Sequence, residues 1–330
     1  MYSEEHKTYL KKIRYRKIAI IAVQIFIMIF LGIGLFTMGG CGGGISETVQ
    51  KIVKGDFNFT DEDLKNIIGN YVSSNDSLEI TVNEENKYLS DFPVVTDTES
   101  YEKDFETAEF NSMVLQLGGC EVKILSYDDE NVHIRAEKVK KIQTGVKDNT
   151  LYITSTDRKG VTSGNWTKIT IQIPETFSYD TVDIDLGAGD FSIESLTVKN
   201  VTIDIGAGRL QIEKLVCSED AKCDIGAGQM LLNDAQIGGS FAGDIGAGEM
   251  RLTGNIQGNA EVSCAMGNTE MTFVGSTMEE HNYEVSCSAG NIDIGNRSFA
   301  GLATESDIDN GAANTYKLEC AMGNITVKFQ

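Results

Sequence analysis

Asp204-Ile-Gly-Ala-Gly208, Asp224-Ile-Gly-Ala-Gly228 and Asp244-Ile-Gly-Ala-Gly248 repeat one phrase, and Asp185-Leu-Gly-Ala-Gly189 precedes them. Worn copies follow at Ser263-Cys-Ala-Met-Gly267, Ser286-Cys-Ser-Ala-Gly290 and Glu319-Cys-Ala-Met-Gly323. From Gly189 to Gly267 the last glycine recurs at steps of 19, 20, 20 and 19. A fixed period near this length marks a stacked architecture, in which one unit cannot bury its apolar side but several together can. The steps to Gly290 and Gly323 are longer, so insertions are expected in those coils.

Apolar residues alternate on both sides of the glycines. Val182, Ile184 and Leu186 come before the first corner, with Phe191 and Ile193 after it; Val201, Ile203 and Ile205 come before the second, with Leu210 and Ile212 after it. Period two means strands with one buried face. The Gly-Ala-Gly between them reads as a corner where glycine supplies unusual backbone angles. Asn268, Asn291 and Asn324, which follow the later glycines, read as residues tolerant of left-handed angles. Lining up the coils gives an inward column of Ile205, Ile225, Ile245, Cys264, Cys287 and Cys320. Adjacency in that column makes Cys264 and Cys287 compatible with a disulfide. The outward column is Asp185, Asp204, Asp224 and Asp244. Four stacked carboxylates repel, so they are expected to be solvated, to cap the corner amides, or to share a cation. Solvated acids capping the amides are the favoured reading.

Among 330 residues the formal net charge is -21. That excludes nucleic acid as a partner, which needs clustered Lys and Arg. The seven cysteines are too sparse for a disulfide scaffold, and the three histidines, His6, His133 and His281, are scattered. No residue set calls for a cofactor or a metal.

Ile18 to Met38 carries no charge over 21 residues, enough to cross a hydrocarbon core of about 30 Å. Lys7, Lys11, Lys12, Arg14, Arg16 and Lys17 precede it. The positive-inside bias therefore predicts a cytoplasmic tail over 1–17, an uncleaved transmembrane helix over 18–38, and export of the remainder. A cleaved signal peptide fits less well, because the apolar run is long and no A-x-A-like site follows. Lipidation at Cys41 has small residues before it but a poor match in Met38-Gly-Gly-Cys41. Residues 39–109 read as an acidic linker or stalk with short helices, loosely ordered over Val72 to Ser112. Residues 110–330 read as an all-β single-stack β-solenoid. Met113 to Ile124 is a worn coil, and the irregular strands from about Phe110 are expected to cap the stack.

Ile171-Gln-Ile-Pro-Glu175, Val182-Asp-Ile-Asp-Leu-Gly-Ala-Gly189 and the repeated corners resemble the bacterial putative adhesin family, a toastrack-like β-solenoid domain of unknown function. The resemblance runs from about Phe110 to Gln330. It implies an envelope protein, often membrane-tethered, in some relatives connected with envelope stress, and it carries over no catalytic residues.

The expected function is binding or structure without catalysis: a stiff acidic surface for another envelope protein, a wall polymer or a cationic peptide. Its candidate ladder is Asp185, Asp204, Asp224 and Asp244. The alternative is a carbohydrate-active β-helix enzyme, since glycosidases set two carboxylates about 5 to 9 Å apart. Identical acids in successive coils and the lack of accompanying aromatics argue against it. A phosphate loop is excluded by the absence of a following helix pattern and of Gly-Lys-Ser/Thr.

Overall fold

The computed structural model describes residues 91–156, 166–301 and 303–330. The expected cytoplasmic tail, the transmembrane helix over 18–38, Cys41 and the linker up to residue 90 lie outside them.

One coil shows how the sequence makes the stack. Val201, Ile203 and Ile205 point inward, Gly206-Ala207-Gly208 turns the chain, and Leu210 and Ile212 point inward again. Glu213 and Lys214 then both face solvent. Two outward residues in succession shift the phase of the alternation and bend the strand, after which Leu215 and Cys217 return to the core. Each regular coil thus has three short inward-facing segments. Full burial of one Ile or Leu side chain contributes about 1.5–3 kcal/mol, so the columns are the main source of stability.

In chain order the first strands are β1 (Val95–Glu106), β2 (Ser112–Gly118), β3 (Cys120–Tyr127), β4 (Asn131–Lys147), β5 (Thr150–Thr156) and β6 (Thr167–Pro174). The regular stack follows with β7 (Tyr179–Leu186), β8 (Gly189–Ile205), β9 (Arg209–Cys217), β10 (Ala221–Ile225), β11 (Gln229–Ile237), β12 (Phe241–Ile245), β13 (Glu249–Ile256), β14 (Ala260–Cys264) and β15 (Asn268–Phe273). The last group is β16 (Asn282–Cys287), β17 (Asn291–Ile294), β18 (Arg297–Ala300), β19 (Thr304–Ile308), β20 (Thr315–Cys320) and β21 (Asn324–Phe329). Successive coils pair in parallel and in register, with Ile205 beside Ile225, Ile225 beside Ile245 and Ile245 beside Cys264.

At both ends the stacking order departs from the chain order. The worn coil β2–β3 lies inside the stack, pairing with β5 and β6 on one side and with β7 and β8 on the other. Beyond β5 and β6 the long β4 runs antiparallel to both, and β1 runs antiparallel to β4. Within the expected loose stretch Val72 to Ser112, strand β1 corrects the part from Val95 to Glu106. The sheet starts at Val95, before the boundary drawn at 110, because Phe105 is buried and β1 pairs with β4 from Val95 to Glu106. Its alternation is masked in the sequence by acids along an edge strand.

The other end holds a second correction. Strands β20 and β21 do not follow β16 and β17 in space. They insert between β14–β15 and β16–β17, parallel to both. The inward column therefore runs Cys264, Cys320, Cys287, so Cys264 and Cys287 are not neighbours and cannot bridge. All six cysteines among the described residues are free and buried. Strands β18 and β19 fold back antiparallel on β17 and β16 and cover that end.

The corner glycines serve a different purpose from the one expected. From Gly187 to Gly323 only Gly189 among them has a positive φ, at 154°, and in the worn coil Gly119 has one at 70°. Asn268, Asn291 and Asn324 have no left-handed angle either; they begin strands and stack on one another. What the corners need is the missing side chain. A Cβ on Gly228 would lie 2.4 Å from the carbonyl oxygen of Gly208, and one on Gly248 would lie 2.3 Å from that of Gly228. The worn corners repeat this: 2.2 Å from Gly248 at Gly267, and 2.3 Å from Gly267 at Gly323. The first glycine of a corner is less constrained, clearly so at Gly206 with 3.4 Å and less so at Gly226 with 2.9 Å and Gly246 with 2.7 Å.

This difference predicts unequal alanine substitutions. Gly228→Ala should destabilise the stack by about 3 kcal/mol, since fixed backbone must move to admit the methyl group. Gly206→Ala should cost less than about 1 kcal/mol, because its methyl group meets ordinary contact. Urea denaturation of the two variants beside the parent protein compares them directly.

Candidate functional site

All four acids of the expected ladder come together. Asp185 pairs in register with Asp204, Asp204 with Asp224, and Asp224 with Asp244. Successive strands lie about 4.8 Å apart, which brings the carboxylates within reach of one another. The ladder continues into Gln116 on one side and into Ser263 and Glu319 on the other.

Their environments differ. Asp185 is exposed and Asp204 and Asp244 are half-buried, but Asp224 is only 8% exposed. Uniform solvation is therefore corrected at Asp224. Lys222 lies two residues earlier on the same face, with its Nζ 3.2 Å from Asp224 Oδ2. Burial pushes the Asp244 carboxyl above its usual range, and the Asp224 charge pushes it further; Lys222 partly offsets both. The raised pKa favours the protonated form of Asp244, which lessens the repulsion between the two acids.

The corner amides are not capped by these acids. Gly226 and Ala227 donate to the carbonyls of Ile205 and Gly206, and Gly246 and Ala247 to those of Ile225 and Gly226. Each corner is thus part of the interstrand ladder, and its N–H groups are used by the preceding coil. A different corner does use side chains: the Ser240 amide donates to Asp220 Oδ1 at 2.8 Å, and the Thr315 amide to Asn259 Oδ1 at 2.9 Å.

A parallel column of mixed charge runs beside the ladder on the same face. It passes through Asp183, Thr202, Lys222, Ala242, Glu261, Lys317 and Glu284. Lys317 bonds to Glu261 at 3.0 Å and to Glu319 at 2.8 Å, and these two hold its ammonium pKa above the usual range. Both lysines of the column are therefore engaged by acids of the same face, which remains net negative.

For sugar cleavage the two carboxylates must flank a bond. Asp224 and Asp244 stand directly opposite on paired strands about 4.8 Å apart, and Asp224 is only 8% exposed. Among the described residues, no group of three or more His, Cys, Asp or Glu side chains is arranged to hold a metal ion.

The sequence reading missed one polar cluster. Ser276 Oγ lies 3.0 Å from His281 Nε2 and donates to Glu280 Oε2 at 2.8 Å. With its proton committed to Glu280, Ser276 accepts from the His281 Nε2–H. Nδ1 is then the unprotonated nitrogen, buried without a partner among the described residues. Burial holds the imidazole pKa down. No basic lone pair faces the serine, so this is a structural contact, reinforced by stacking of His281 on Tyr316 at 4.2 Å. Five residues of sequence separation gave no signal for it.

The fold and the face define an all-β protein of stacked, glycine-cornered coils, a β-solenoid-like architecture. More particularly, residues 110–220 match the Toastrack DUF4097 family. The match takes in the strands from β2 through β9, and it bears out the toastrack resemblance there. A solved structure of a putative cell adhesion protein from Clostridium sporogenes aligns over 70% of this chain and 99% of its own, at 13% identity and a TM-score of 0.30. A putative adhesin from Bacteroides fragilis covers 71% and 99%, at 14% identity and a TM-score of 0.35. A putative lipid binding protein from Parabacteroides distasonis covers 71% and 98%, at 10% identity and a TM-score of 0.31. Overlaps this loose say nothing about ligand or mechanism. No curated protein matches the chain.

The raised Asp244 pKa has a signed consequence. A carboxyl with a folded pKa above its ordinary 3.8 contributes stability at low pH that is lost as pH rises through the folded value. Asp244→Asn should therefore stabilise the protein at pH 7 by about 0.5 kcal/mol, the scale of a like-charge cross-strand pair. The gain should vanish as pH falls toward 3.8, as urea denaturation at several pH values would show.

Proposed function

We propose that this protein is a membrane-anchored binding module of the bacterial cell envelope. Its tail over 1–17 lies in the cytoplasm, 18–38 forms one membrane-spanning helix, and the stacked coils are displayed outside. Its acidic face takes a cationic partner, a basic peptide or a basic segment of an envelope protein, and performs no catalysis on it. The observation that carries this reading is the in-register ladder Asp185, Asp204, Asp224 and Asp244, flanked by Glu319, on one face. Parallel in-register stacking repeats the same charge at strand spacing, so the field along the face adds up. The charge-free run at 18–38 and the lysines and arginines before it support the anchor and its orientation.

Binding of a fluorescent oligolysine peptide to the purified protein tests the face. Affinity should fall at least about tenfold between roughly 50 and 500 mM salt, because exposed charges are screened. Combined Asp204→Asn, Asp224→Asn and Asp244→Asn substitutions should weaken low-salt binding while circular dichroism stays that of β-sheet. Absence of low-salt binding would sink the reading. On intact cells, a membrane-impermeant amine reagent should label Lys317 and reach Lys7, Lys11 and Lys12 only after permeabilisation; the opposite pattern would overturn the orientation.

A further inference from the structure

Three cysteines share one inward column at the place where the chain leaves sequential order. Cys264 ends β14, Cys320 ends β20 and Cys287 ends β16, and each is in register with the next in the stack. All three are no more than 2% exposed. In-register parallel neighbours lie about 4.8 Å apart, inside the Cα range of disulfides. The sulfurs lean along the stack. A Cβ on Gly323, in the coil of Cys320, would fall 2.8 Å from Cys264 Sγ. One on Gly290, in the coil of Cys287, would fall 2.5 Å from Cys320 Sγ.

Chain order says when these sulfurs can be reached. Strands β14 to β19 precede β20 in the sequence, yet β20 has to enter between β14 and β16. Until it does, Cys264 and Cys287 line an open slot. Once it does, all three thiols are sealed.

We infer that Cys264 and Cys320 are a disulfide-forming pair that staples the C-terminal coil into its slot, with Cys287 remaining a thiol. The oxidant is another disulfide, either small or on a protein. The Cys264 thiolate attacks one of its sulfurs and expels the other as a thiolate. The Cys320 thiolate then attacks the mixed disulfide at the Cys264 sulfur and expels the second. The chain loses two hydrogens, and the oxidant is reduced to two thiols. Cys264 is the first nucleophile because it lines the slot before β20, which carries Cys320, enters. The inference rests on the export reading only for where the oxidant is met.

The test is refolding of the full-length chain from denaturant with oxidised glutathione, followed by alkylation, digestion without reduction and mass spectrometry. A peptide pair joined through Cys264 and Cys320, absent after reduction, is the expected product. It should persist in Cys287→Ser and be missing in Cys264→Ser. If the unsubstituted chain alkylates at every cysteine, or links Cys320 to Cys287 instead, the inference is overturned. The same mapping on cells lysed into alkylating reagent separates the two readings. A pair that forms on refolding but stays reduced in cells leaves the pair standing and overturns the export reading.

Discussion

The structure depends on how closely the backbone of one corner can approach the backbone of the next. Strand spacing is fixed at about 4.8 Å by hydrogen bonding, and the corner has to keep that spacing while changing direction. At Gly228, Gly248, Gly267 and Gly323 the space where a Cβ would stand holds a carbonyl oxygen of the preceding coil, 2.2 to 2.4 Å away. A side chain there would lever the coils apart at one edge. The amides of Gly226, Ala227, Gly246 and Ala247 would then lose the carbonyls they bond to. Glycine at these positions is a requirement of close approach rather than of backbone angle.

Strict register has an electrostatic consequence. Once Ile205, Ile225 and Ile245 are aligned inside, the residues before them are aligned outside, whatever their charge. The aspartate ladder is thus imposed by the repeat, and the fold tolerates it in three visible ways. Lys222 sets a cation 3.2 Å from the most buried acid, Asp244 retains its proton more readily, and Asp185 stays exposed. A face that concentrates like charge at some cost in stability is the kind of surface on which a partner's opposite charge brings relief.

The period and the two-residue alternation were legible because each is written many times: the strands on both sides of Gly208, Gly228 and Gly248, the inward isoleucines and the aspartate column all follow from them. The worn coil around Gly118 was legible for the same reason, since β2 and β3 keep the register of β7 and β8. Features written once were not. The segment holding Leu215 and Cys217 is too short to show a period of its own, and Glu213-Lys214 interrupts the phase. Strand β1 is an acidic edge whose burial is confined largely to Phe105. The Cys264, Cys320, Cys287 order was hidden because linear alignment assumes that coils stack in the order they are made.

That assumption fails at the ends for a physical reason. A parallel stack that simply stopped would present a row of unpaired amides and carbonyls, an invitation to edge-to-edge association. An antiparallel strand can cover the last coil only if the chain reverses, and a reversed chain finishes outside the stack. Here the reversal through β18 and β19 covers β17 and β16, and the chain then re-enters as β20 and β21 one layer inward. At the other end β4 reverses over β5 and β6 while the chain-earlier β2 and β3 lie inside. In both cases a coil from elsewhere in the sequence lies beneath the cap, so the cap cannot peel away without pulling against strands distant in the chain. Non-sequential order is therefore how a one-dimensional stack acquires long-range closure at its two weakest points.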